Sequence, residues 1–295
     1  MKVKYHKHET LSAYLLLLPI MVGFLAFGLL PIIASLWLSF TQWDLFSAPQ
    51  WIGITNFVDI FHDKLVWISL WNTILFVLLN VPLGGVIIPL TLAILLNQKI
   101  KGVNFFRTIY FLPAITLSVA AGFVWSWMYN PEFGIINYIF SLLHLPTQKW
   151  LLSPKIALLS LVIINVWKWA GYNMIIFLAA LKGIPNNYYE AARIDGANSW
   201  QILNKITLPL LLPTTFFLVV ISVIGSFQFF DLVYIMTQGG PGDATMVYNL
   251  YIYQNAFKFS RMGYAAALAW VLFVLIFFIT LTQMKLSKER ISYEY

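Results

Sequence analysis

Between Lys64 and Lys99 lies LVWISLWNTILFVLLNVPLGGVIIPLTLAILLNQ (residues 65–98), a stretch without a single charged residue. A helix needs about 20 apolar residues to cross a bilayer, and a charge at its centre costs about 2.5–3.5 kcal/mol. The stretch is therefore read as a membrane span, and the same test applies along the chain. No charge lies between Glu9 and Asp44, Arg107 and Glu132, Lys205 and Asp231, or Arg261 and Lys285. From Lys155 to Lys182 the only charge is Lys168. Spans are predicted near 13–40, 69–97, 106–128, 156–181, 206–236 and 264–284. Phe133 to Gln148 is also uncharged, but it is short and holds Asn137, His144 and Pro146. It suits a segment lying at the membrane interface better than a seventh span. The first stretch runs well past the length of a signal-peptide core, through Pro19 and Pro31, and is read as a retained span.

Composition agrees. Of the 295 residues, 60% are hydrophobic and 10% charged, too few charges to coat a water-facing surface of this size. That excludes a soluble domain, a disordered chain and a DNA-binding protein. There is no Cys, so disulfides and thiol chemistry are excluded. The fold class expected is an all-α membrane protein with six transmembrane helices, read as one permease domain over 1–295.

Basic residues orient it. With the N-terminus cytoplasmic, Lys2, Lys4, Lys7, Lys99, Lys101, Arg107, Lys182, Arg193, Lys205, Lys285, Lys288 and Arg290 fall inside. Lys64, Lys149, Lys155, Lys258 and Arg261 fall outside, which matches the positive-inside rule with both termini cytoplasmic. Trp37, Trp43, Trp67, Trp71, Trp125 and Trp127 lie near the outer ends of spans, where indole settles at headgroup depth.

The connection between the fourth and fifth spans, 183–209, does not read as a plain loop. Asn187 precedes Glu190 by three residues and Asn198 precedes Gln201 by three, both capping-box spacings. Gly196 between them suits a left-handed helix end. A short helix near 188–195, a glycine break and a second helix near 199–205 are expected. Helices this short need a surface to rest on, and Tyr188, Ala191 and Ala192 offer an apolar stripe. That surface is either the protein's own helices or a partner.

Here a family resemblance becomes specific. Glu190-Ala191-Ala192, then Gly196, Ile206 and Leu208-Pro209 at their spacings resemble the EAA motif of membrane subunits in binding-protein-dependent ABC importers. Asp195-Gly196-Ala197, Leu112-Pro113 and Trp167-Lys168 look like the carbohydrate-importer permeases. Phe227 to Leu232 and Met236 to Pro241 look like the first permease of maltose and glycerol-3-phosphate type systems. One departure is size, because the maltose-type first permease carries extra N-terminal spans and a large outer domain. The resemblance implies a second homologous permease, two ATP-binding cassette ATPase subunits and an extracytoplasmic binding protein that delivers a sugar-like solute. It implies ATPase coupling through Glu190, Ala191, Ala192, Asp195, Gly196, Ile206, Leu208 and Pro209. The cell membrane of a bacterium or archaeon is the implied location, with lipid as the remaining contact.

The chain itself should hold no catalytic residues, cofactor or metal, and it carries no Gly-x-x-x-x-Gly-Lys-Ser/Thr phosphate loop. Lys168 and Asp231 are the charges within the predicted spans, with Asn165, Asn173, Gln228 and Tyr234 near them. Lys168, Asn173, Gln228, Asp231 and Tyr234 are candidates for a solute path, since intramembrane charges usually face a bundle interior or a water-filled route. The competing reading is a structural ion pair or contacts with a sister subunit. A secondary transporter, the alternative class, would need coupling-ion groups and internal repeats and would leave the EAA segment without a role.

Reporter fusions test the topology. Fusions after Lys101, Asn187 and Lys288 should report cytoplasm, and fusions after Asp63, Lys149 and Asp243 the outside. An odd number of crossings would contradict it.

Overall fold

The computed structural model describes residues 7–98 and 101–288. The molecule is an all-α membrane protein. Among the described residues, five helices are long and apolar enough to cross a membrane: Tyr14–Leu38, Lys64–Leu96, Ala157–Gly183, Leu212–Met236 and Met262–Leu286. Val103–Ile115 and Ser118–Met128 form a sixth only if taken together, because they meet at a bend of 100°. The helix expected near 106–128 is thus broken in two rather than continuous. Thr116 and Leu117 both adopt extended backbone (ψ 142° and 131°), which turns the chain between the two halves. The expected 206–236 span is likewise interrupted, at Gln228–Phe230, between Leu212–Phe227 and Asp231–Met236.

Proline shapes several helices from within. Three π-helical turns end two residues before a proline: Leu25–Leu29 before Leu30-Pro31, Val81–Ile87 before Ile88-Pro89, and Leu203–Thr207 before Leu208-Pro209. A proline ring clashes with the carbonyl four residues back and has no N–H. Widening the turn moves that carbonyl aside and lets the helix continue. The last N–H before each proline reaches back five residues, as from Ile88 to Leu83 O. In that register the next carbonyl, Gly84 O, would look to Pro89, which has no N–H to give.

The chain divides into two compact units. Among the described residues, one comprises 7–63 and 252–273. Its Tyr14–Leu38 helix buries none of its most apolar window. Beyond it, Thr41–Gln42 pairs antiparallel with Gln50–Trp51. The Asn56 amide donates to Ser39 O and Thr41 O, both at 2.9 Å. Tyr264 donates its hydroxyl proton to Asp63 Oδ2 at 2.8 Å.

The other unit comprises, among the described residues, 64–98, 101–251 and 274–288. Its centre is Ala157–Gly183, whose buried residues include Asn165, Lys168, Asn173, Met174 and Phe177. Ala93, Leu96, Met174, Phe177, Leu181, Leu211 and Leu218 form an apolar cluster around it. In lipid the drive for such packing is close contact and hydrogen bonding rather than removal of water. Small residues follow from that. A Cβ on Gly171 would collide with the Tyr110 carbonyl, and one on Gly85 would come within 2.8 Å of Ser222 Oγ. Ile135–Leu142 is a short helix tied at buried Asn137, which donates to Pro131 O and Gln148 O.

Replacing Gly171 by Ala should destabilise the folded protein by about 1–3 kcal/mol, the usual cost of overpacking. Gly183→Ala, where a Cβ meets nothing within 4 Å, should be neutral or slightly stabilising. Thermal melting of the detergent-solubilised protein, read by intrinsic fluorescence, separates the two.

Candidate functional site

A cavity of about 360 Å³ opens between helices of the larger unit. Asn80, Gly84 and Gly85 line it from Lys64–Leu96, and Ile221, Ser222, Gly225 and Ser226 from Leu212–Phe227. Asn165, Trp169, Tyr172 and Asn173 line it from Ala157–Gly183, and Gln228, Phe229 and Asp231 from the helix interruption. Residues 165, 169, 172 and 173 recur at helical spacing, so one face of the central helix supplies its wall.

The amides are held in a fixed arrangement. Asn165 Nδ2 donates to Asn80 Oδ1 at 2.9 Å, and Asn80 Nδ2 donates to Ser226 Oγ at 2.9 Å, a chain that crosses three helices. Asn173 Nδ2 donates to Gly84 O at 3.0 Å, supplying the proton that Pro89 cannot. With nitrogens spent this way, Asn165 Oδ1 and Asn173 Oδ1 remain as acceptors at the cavity wall. Asp231 turns Oδ1 to the Leu232 N–H at 2.9 Å, at the start of its helix. Trp169 and Tyr172 meet edge to face, with centroids 6.1 Å apart. Phe229 stacks on buried Phe76 at 4.0 Å. Acceptors beside aromatic faces suit a molecule that presents hydroxyl donors and C–H surface.

The second feature is the segment between Ala157–Gly183 and the next long helix. Its first helix is Asn186–Ile194, ended by Asp195 and by Gly196 at φ +78°. Ala197 N–H bonds Ala192 O at 2.9 Å and Gly196 N–H bonds Arg193 O at 3.1 Å, the paired bonds of a Schellman ending. The second helix, Ser199–Ile202, has the full capping box of Asn198 and Gln201, with bonds of 2.9 and 2.8 Å. The box expected at Asn187 and Glu190 is absent. Pro185 occupies the N-cap with extended backbone, the helix starts at Asn186, and Asn187 Oδ1 accepts from Tyr188 N–H instead. Of the expected stripe only Ala192 is buried, while Glu190 and Ala191 are exposed and Tyr188 is 50% exposed. Ile194 and Trp200 are 86% and 71% exposed, so this segment presents apolar side chains outward. Ile206 and Leu208 are half-buried and Pro209 exposed, around the π turn that joins the segment to Leu212–Phe227.

Residues 69–292 match the family model described as binding-protein-dependent transport system inner membrane component. The chain belongs to that family. It is 42% identical to the "Probable ABC transporter permease protein YesP" of Bacillus subtilis (strain 168), over 98% of this chain and 94% of that one. It is 32% identical to the trehalose/maltose transport system permease protein MalF of Thermococcus litoralis, over 98% of this chain and 97% of the relative. A crystal structure of a bacterial alginate ABC transporter, in complex with alginate pentasaccharide-bound periplasmic protein, superposes with TM-score 0.84 at 26% identity. That match covers 94% of each chain.

Within this permease the predicted path residues separate. Asn173, Gln228 and Asp231 line the cavity. Lys168 does not; its Nζ donates to Thr116 O at 2.8 Å, and the side chain is 3% exposed. Among the described residues it makes no ion pair with Asp231. Tyr234 stacks on Phe230 at 5.4 Å, away from the lining. Sequence reasoning missed Asn80, Trp169, Tyr172, Ser222 and Ser226. Helical spacing from Asn165 would have found Trp169 and Tyr172. Nothing marks Asn80 apart from Asn72 one stretch earlier, which holds Asp243 O and Met246 O instead.

Asn198→Ala removes one capping bond of the Ser199–Ile202 helix at a cost of about 1 kcal/mol. Amide exchange across residues 199–202 of the permease should then rise about fivefold. An unchanged rate would contradict the cap.

Proposed function

We propose that this permease is one half of a transmembrane pair, beside a second homologous permease. Two ATPase subunits lie on the cytoplasmic side and an extracytoplasmic binding protein delivers the solute. The solute is a sugar or sugar-like polyol. The observation that carries this reading is the cavity between membrane-crossing helices, walled by fixed amide acceptors and aromatic rings. Hydroxyl-rich molecules donate to such acceptors and lay their C–H faces on such rings. The relatives named for trehalose and maltose transport and for alginate import support the class.

ATP chemistry belongs to the partners. The two capped helices at 186–202 carry exposed Tyr188, Glu190, Ala191, Ile194 and Trp200 toward the ATPase, with Asp195 and Gly196 shaping the turn. Movement there passes through the π turn and Ile206, Leu208 and Pro209 into Leu212–Phe227, which lines the cavity. Both termini lie in the cytoplasm. The secondary-carrier reading gains nothing from the broken helix, because the carbonyl end that could take a coupling cation is met by the chain's own Lys168.

Two measurements test this. Calorimetry of the partner binding protein against maltose, trehalose and lactose should find a tight sugar ligand; an amino acid or a metal as tight ligand refutes the class. Gly196→Val introduces backbone strain of about 1–2 kcal/mol at positive φ while its side chain meets open space. The variant should insert and pair with the second permease yet lose ATPase association or uncouple hydrolysis from uptake. Glu190→Ala should show a milder defect. Normal uptake with full solute-stimulated hydrolysis in Gly196→Val would overturn the coupling role.

A further inference from the structure

Lys168 stands outside the cavity, yet it is buried at the point where a helix breaks. Val103–Ile115 ends at Thr116, and the last carbonyls of any helix lack N–H partners. Within a membrane no water meets them. Thr116 N–H and Oγ both turn back to Pro113 O, at 3.2 and 2.6 Å, so they give nothing to the carbonyls beyond it. The Lys168 ammonium supplies the missing donor to Thr116 O, and a cation suits the negative end of a helix. Three residues on, Gly171 lets the central helix touch the Tyr110 and Phe111 backbone on the same face. Lys168 and Gly171 thus seat the bent pair on the central helix.

Beyond the bend, Ser118–Met128 packs on Asp231–Met236. Gly122 leaves room for Ile235 and Met236, which a Cβ would approach to 3.0 and 3.6 Å. Asp231, the first residue of that short helix, is a wall of the cavity. A run of contacts therefore links Lys168, the bend, Ser118–Met128 and the Asp231 carboxylate in the cavity wall.

We propose that Lys168 is a positioning residue for transport: its ammonium fixes the Thr116–Leu117 bend, so that solute contact at Asp231 shifts Ser118–Met128 as a unit rather than being absorbed in a loose joint. The role rests on the reading of the chain as an importer subunit. It is distinct from solute binding, because the side chain does not border the cavity.

The test uses the complete complex with partner subunits made without cysteine. This chain has no Cys, so cysteines introduced at exposed Phe123 and Ile163 can be spin-labelled as a single pair. The label distance distribution should be narrow in the parent and in Lys168→Arg, and at least twofold broader in Lys168→Met. Lys168→Gln, too short to reach as Lys does, should broaden it as well and serves if the Met variant fails to accumulate. Basal ATP hydrolysis should stay within twofold in Lys168→Met. Stimulation by binding protein with maltose, trehalose or lactose, whichever stimulates the parent, should fall at least tenfold and recover in Lys168→Arg. An unchanged distribution in the Met or Gln variant, or Arg as broad as Met, overturns the proposal, as does full stimulation in Lys168→Met. If the binding protein takes an amino acid or a metal as its tight ligand, the sugar-importer reading fails, and the distances still judge Lys168.

Discussion

Inside hydrocarbon, every backbone N–H and C=O must find a partner within the protein. This permease breaks its helices where that rule is hardest to meet. Pro31, Pro89 and Pro209 each interrupt the ladder, and Thr116–Leu117 ends it altogether. Side chains repair the damage. Asn173 serves Gly84 O beside Pro89, and Lys168 serves Thr116 O at the bend. Polar residues in the spans thus answer to the backbone before they answer to any solute.

The cavity inherits its chemistry from those repairs. Because Asn80, Asn165 and Asn173 spend N–H groups on each other, on Ser226 and on Gly84, oxygens are left for the interior. The same glycines that admit neighbouring helices, Gly84 and Gly85, also line the cavity. Close packing and an open interior are here two results of one choice of small residues.

How far the sequence showed this depends on the feature. Charge-free gaps marked where the long helices lie, since a missing charge needs no knowledge of neighbours. Gly196, Asn198 and Gln201 announced their turn and cap, because those are local bonds within a few residues. The Asn187–Glu190 box failed because Pro185, two residues earlier, starts the helix first. The bend at Thr116–Leu117 has neither Gly nor Pro at its centre and was read as continuous helix. For Lys168 the expectation stood between a solute path, an ion pair with Asp231 and contact with a sister subunit, whereas the group it meets is a carbonyl 52 residues away. A sequence displays side-chain charges but not which backbone oxygens a fold will strand.

The turn at Gly196 separates shape from contact. The geometry of 186–202 is held by bonds among Ala192, Arg193, Gly196, Ala197, Asn198 and Gln201, all within the segment. The outward residues Tyr188, Ile194 and Trp200 take no part in those bonds. A segment already ordered loses little conformational freedom when a partner covers it, which favours affinity without further contacts. It also means that the outward side chains are free to drift with a changing partner while the two-helix frame stays as it is.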